Sequence, residues 1–188
     1  MCIRDSTYTA QLTYDAALLR ADQALLAKQY EEAASLYRTI LSEKTTSFPL
    51  RLDAWGGLLA SDPQAALAMA EGLLAEVSNQ APTEQGRYIN WFGAELWQAV
   101  VRSSPKESLP AGRSFSVPMY VRFPTDADWV PTVAKVMTQL YQLNASACLV
   151  EDKRNGLISL RLPIAYTVAL DGNADLATEV INLSLIHI

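Results

Sequence analysis

The 188-residue chain is poor in the side chains that most enzymes and metalloproteins use, with two cysteines and one histidine. It is also short of long apolar runs. A helix crossing a bilayer needs about 20 consecutive apolar residues. The stretch from Leu162 to Leu170, interrupted by Pro163 and Thr167, falls well short of that, so no membrane span is expected. Positive charge is scarce as well, 15 basic residues against 20 acidic ones for a net charge of −5. Affinity for phosphate backbones comes mainly from clustered Lys and Arg releasing counterions. The chain has no such cluster, so nucleic acid is not an expected partner.

The two ends differ from the Ala- and Leu-rich stretch between them. Residues 1–6, MCIRDS, can be back-translated as ATG TGT ATA AGA GAC AG, and residues 183–188, LSLIHI, as CTG TCT CTT ATA CAC ATC. The second string contains the reverse complement of the first, and both are similar to the mosaic-end adapter of transposase-based sequencing libraries. Both ends are therefore expected to be adapter-derived scars, and residues 7–182 an internal piece of a longer protein. Segments of this kind are set aside before fold reasoning. Doing so removes Cys2 and His187, leaving Cys148 and no histidine. A Ser-His-Asp or Cys-His nucleophile needs a histidine base, and common structural zinc sites need several Cys or His ligands. Residues 7–182 can supply neither alone, so no catalytic, metal or cofactor residue is assigned. A lone cysteine forms no intrachain disulfide, which fits a reducing compartment such as the cytoplasm. Cys148 lies among Ala145, Ala147 and Leu149, the surroundings of a buried structural thiol.

Helical periodicity dominates what remains. From Asp15 to Lys28, Ala17, Leu18, Ala21, Ala24, Leu25 and Lys28 recur at spacings of three and four near one face. A second helix follows closely, with Tyr30, Ala33, Ala34, Tyr37, Ile40 and Leu41 on one stripe and Glu31 and Glu32 in its first turn, where the helix dipole favours acids. The few residues around Lys28 and Gln29 require the two to fold back as a hairpin. A third helix starts at Pro49 and carries Leu52, Trp55, Leu58 and Leu59. Ser61-Asp62-Pro63-Gln64 supplies an N-cap and a first-turn proline for a fourth. A fifth runs from Thr83 to Arg102 and a sixth from Asp126 to Asn144, with Thr125 and Asp128 spaced as a capping box. Two more, Leu157 to Leu170 and Ala174 to Asn182, turn at Asp171-Gly172-Asn173. The one strand candidate, Ser116 to Phe123, contains Pro118, which confines it to an edge or an extended loop.

The stretch QALLAKQYEEAASLYRTIL resembles the core of a tetratricopeptide repeat. Ala21 stands as the small residue of the first helix, Tyr30 at the turn, Ala33 where the helices cross, then Tyr37 and Ile40. AYTVALDGNADLATEVI resembles it again, with Ala165, Gly172 and Ala177 in the corresponding places, and DPQAALAMAEGLLAE keeps a small crossing residue at Ala66. The first unit departs from the family pattern, with Thr45 and Thr46 where a proline is usual, and the middle pairs share only the hydrophobic rhythm. The resemblance implies a stack of helix pairs, each burying its open face against a neighbour.

Candidate sites are few. In RYINWFGAELWQAVV (residues 87–101), Tyr88, Trp91, Phe92 and Leu96 share one face while Ala94, Trp97 and Val101 lie on another. Packing on both sides accounts for such a helix. Alternatively, a tryptophan lines a groove that grips a partner, as Trp and Tyr commonly do at interfaces. The segment 104–125, with Pro105, Pro110, Pro118 and Pro124, is long for a connection in a helical array. It is either an ordinary surface insertion or a strap whose second half lies in the groove. The adjacent acids Glu31/Glu32, Asp126/Asp128 and Glu151/Asp152 have structural explanations as first-turn acids, caps and a solvated loop. Gly56-Gly57 lacks the Lys-Ser/Thr of a P-loop and points to a close helix contact or a bend.

The expected architecture is all-α: antiparallel helix pairs stacked as a right-handed tetratricopeptide-like α-solenoid, divided into residues 7–103, the long proline-containing loop 104–125, and 126–182. The expected function is a protein–protein interaction scaffold whose inner surface binds another polypeptide through Tyr88, Trp91 and Trp97, without a cofactor. One alternative is a helical-array hydrolase acting on glycans, with Trp91 or Trp97 as a sugar platform and Asp126 or Glu95 as an acid. Another is a regulatory arm of a larger enzyme or transcription regulator.

Overall fold

The computed structural model describes residues 16–43, 45–103, 130–149 and 160–182, and among them every regular element is a helix. In chain order these are α1 (16–26), α2 (Tyr30–Ser42), α3 (Phe48–Ser61), α4 (Pro63–Ser78), α5 (Pro82–Ser103), α6 (Val130–Leu143), α7 (Ala145–Leu149), α8 (Arg161–Leu170) and α9 (Ala174–Asn182). The strand candidate 116–123 and the capping box at Thr125 and Asp128 lie outside the described residues. The chain divides into two compact units, Met1–Met69 and Ala70–Ile188, with the boundary inside α4.

In the first unit α2 packs on α3 around Tyr37, Ile40, Trp55 and Leu58, each at most 2% exposed. Burying an aliphatic or aromatic side chain of this size contributes about 1.5–3 kcal/mol, far more than helix propensity gives. Gly57 is the residue that lets the contact form, because a Cβ there would overlap the Tyr37 phenol ring. The Tyr37 hydroxyl passes the glycine and donates to Asp22 Oδ1 at 2.6 Å, tying α1 to α2. Buried Trp55 finds a partner for its one polar atom, Nε1 donating to the Ala66 carbonyl at 2.9 Å. Asp62 caps α4 by accepting from the Ala65 amide at 3.1 Å, with Pro63 opening the helix as the sequence pattern requires. Asp62 also pairs with Arg38, an exposed ion pair of small energetic weight. Tyr30, expected on the buried stripe of α2, is 49% exposed: as the first residue of the helix it projects beyond the packed face.

Two of the connections close by the same backbone device. At the end of α1, Lys28 has φ 62°, its amide donates to the Leu25 carbonyl, and the Gln29 amide donates to the Ala24 carbonyl at 2.9 Å. At the end of α8, Gly172 has φ 84°, its amide donates to the Ala169 carbonyl, and the Asn173 amide donates to the Val168 carbonyl at 2.9 Å. This is the Schellman pattern, which satisfies the last carbonyls of a helix by one left-handed residue. Lys28 thus serves as the turn pivot, where the periodicity had placed it on the packed face. Small residues flank the turns at a constant interval. Ala21 and Ala33, Ala54 and Ala66, and Ala165 and Ala177 are each twelve residues apart, and all six are at most 6% exposed.

The second unit centres on α6, which packs on α5, α7 and α8, while α8 packs on α9. Asn144, expected to end the sixth helix, instead joins two: its Oδ1 accepts the Ala147 amide at 3.0 Å and starts the five-residue α7. Buried Asn90 on α5 donates to the Ala147 carbonyl at 3.0 Å, so α5 holds α7 through a side chain. Gly93 on α5 leaves room for the Leu160 side chain, which a Cβ there would overlap. The Tyr141 hydroxyl on α6 donates to Glu179 Oε1 at 3.2 Å, joining α6 to α9.

Two substitutions check these contacts by urea unfolding. Lys28→Gly relieves a left-handed conformation that costs an L-residue about 1–2 kcal/mol. Offset by the extra freedom of an unfolded glycine, it raises stability by about 0.5–1 kcal/mol, seen as a higher midpoint at unchanged slope. Gly57→Ala forces Tyr37 aside and lowers stability by about 1–3 kcal/mol; an unchanged midpoint would mean that the α2–α3 approach is not as close as described.

Candidate partner-binding surface

α5 presents two kinds of aromatic residue. Tyr88, Ile89, Phe92 and Leu96 recur at helical spacing on the packed face, with Tyr88 at 6% exposure and the other three fully buried. Trp91 and Trp97 are half-buried. Tyr88 therefore offers little area to a partner, whereas the two tryptophans retain some.

Trp97 stands edge-to-face against Tyr166 of α8, ring centroids 6.3 Å apart and planes at 74°. This geometry suits aromatic quadrupoles and contributes about 0.5–1.5 kcal/mol beyond burial. Tyr166 is itself 37% exposed. Leu162, one turn earlier on α8, is 40% exposed, and Ile181 on α9 is 44% exposed. Leu162 and Tyr166 are four residues apart on one helix face, while Ile164, Ala165 and Val168 form the buried side. The second unit thus has Tyr166, Leu162 and Ile181 exposed and Trp91 and Trp97 half-buried, with Trp97 and Tyr166 in direct contact. The sequence reading singled out Trp97 but neither Tyr166 nor Leu162. The four-residue spacing of Leu162 and Tyr166 places them on one helix face, opposite the packed side of α8.

The remaining candidates fall into place as follows. Glu31 and Glu32 occupy the first turn of α2. Glu95 is half-buried on α5. Asp126/Asp128, Glu151/Asp152 and the loop 104–125 lie outside the described residues. Gly56-Gly57 is inside α3, where the second glycine meets Tyr37. Among the described residues no group of three or more His, Cys, Asp or Glu is placed to hold a metal ion, and no helix is long and apolar enough to cross a membrane. The Tyr141 phenol is pushed above its ordinary range by burial and then by its hydrogen bond to Glu179.

Cys148 is fully buried, its Sγ 3.5 Å from the Leu140 carbonyl oxygen. Loss of hydration pushes its thiol up to about 12. The thiolate is the reactive species, so this group is inert while the protein is folded. No protein-family model, curated protein or solved structure matches the chain.

Burial of Cys148 has two consequences. In a Cys2→Ser variant, Ellman's reagent at pH 8 leaves the folded protein unlabelled and titrates one thiol after urea is added; fast labelling without urea would contradict the burial. Because the folded thiol holds its proton more tightly than the unfolded one, its contribution to stability is complete below the ordinary pKa of 9 and is lost as pH rises toward about 12. Unfolding midpoints measured from pH 8 upward should fall accordingly, and less so in a Cys2→Ser, Cys148→Ala variant.

Proposed function

We propose that this chain is a non-catalytic helical scaffold that binds another polypeptide through the aromatic surface on α5 and α8. In this reading its helices form antiparallel pairs, α1–α2, α3–α4 and α8–α9 among them, stacked as a tetratricopeptide-like α-solenoid. The three alanine pairs at a twelve-residue interval and the twin turns at Lys28 and Gly172 support that arrangement. The observation that carries the binding role is the Trp97–Tyr166 pair. The two rings are held by a mutual edge contact, with Tyr166 37% exposed, Trp97 half-buried and Leu162 one turn from Tyr166. Rigid aromatic side chains give large contact area for little conformational entropy, and a surface ordered before binding avoids an ordering cost of about 0.5–1.5 kcal/mol per side chain. Trp91 adds a second anchor on α5, and Tyr88 supports the helix from its packed face.

Selection of a displayed random-peptide library on the immobilised protein tests this. Enriched peptides should bind the parent protein and lose at least tenfold in affinity to Trp97→Ala and Tyr166→Ala variants whose helix content is unchanged. Peptides that bind these variants as well as the parent, or a library that yields none, would overturn the reading.

A further inference from the structure

We draw no further inference here: the strongest candidate, the apolar stripe of Leu19 and Leu26 on α1, 58% and 83% exposed, carries no proposal because nothing in the structure shows what covers it.

Discussion

Two helices can approach closely only where the side chains between them are short, and the rest of this protein follows from that constraint. Gly57 admits the Tyr37 ring into the α2–α3 contact, and the ring in turn brings its hydroxyl to Asp22. The alanines at 21, 33, 54, 66, 165 and 177 are buried almost without remainder. None of them contributes much apolar area by itself. They allow larger neighbours such as Trp55, Ile40 and Ile164 to be covered, and that area supplies most of the favourable free energy of folding. An added methyl at a crossing is therefore more damaging than one at the surface, because the interior is close-packed and cannot absorb it.

The existence of each long helix was legible from periodicity, and several ends were legible from chemistry. Proline at the start of α4, the acid that caps it and Gly172 after α8 all act through local rules that do not depend on distant contacts. What the sequence did not disclose depends on tertiary context. Lys28 was given a place on a packed face, yet the turn needs a left-handed residue there and the surrounding hydrogen bonds hold it in that state. Asn144 looked like the end of a helix, and only the position of the Ala147 amide makes it the start of another. At five residues α7 is too short for a periodic signal. Among the site candidates, Trp97 was visible because tryptophan is rare and large, but its partner Tyr166 is remote in sequence and the contact cannot be read from either helix alone.

The electrostatic character of the surface is spread rather than focused. Arg38 with Asp62 and Lys135 with Glu71 neutralise charges in pairs at the periphery and stabilise the fold little. Between residues 161 and 182 the charged side chains are Arg161, Asp171, Asp175 and Glu179, with the three acids exposed. Exposed charge and apolar contact respond differently to the solvent. Of these two terms only the first is weakened by salt.

The first and last helix pairs show how one backbone frame yields either packing or a surface. Shifting residues 16–38 by 144 positions superposes Ala21 on Ala165, Lys28 on Gly172 and Ala33 on Ala177. In that register Asp22 corresponds to Tyr166 and Tyr37 to Ile181. In the first pair Tyr37 is fully buried, with Gly57 of α3 against its ring and Asp22 satisfying its hydroxyl. In the last pair the same two positions are 37% and 44% exposed. A buried tyrosine needs an acceptor for its hydroxyl, so the first pair supplies a carboxylate at the facing position. Ile181 has no polar atom in its side chain to satisfy, so the facing position is free to carry an aromatic ring instead. With Tyr166 where the first pair has an acid and Ile181 where it has a tyrosine, this register thus loses its hydrogen-bonded pair and keeps two apolar side chains, with a left-handed turn and the two crossing alanines in the same places.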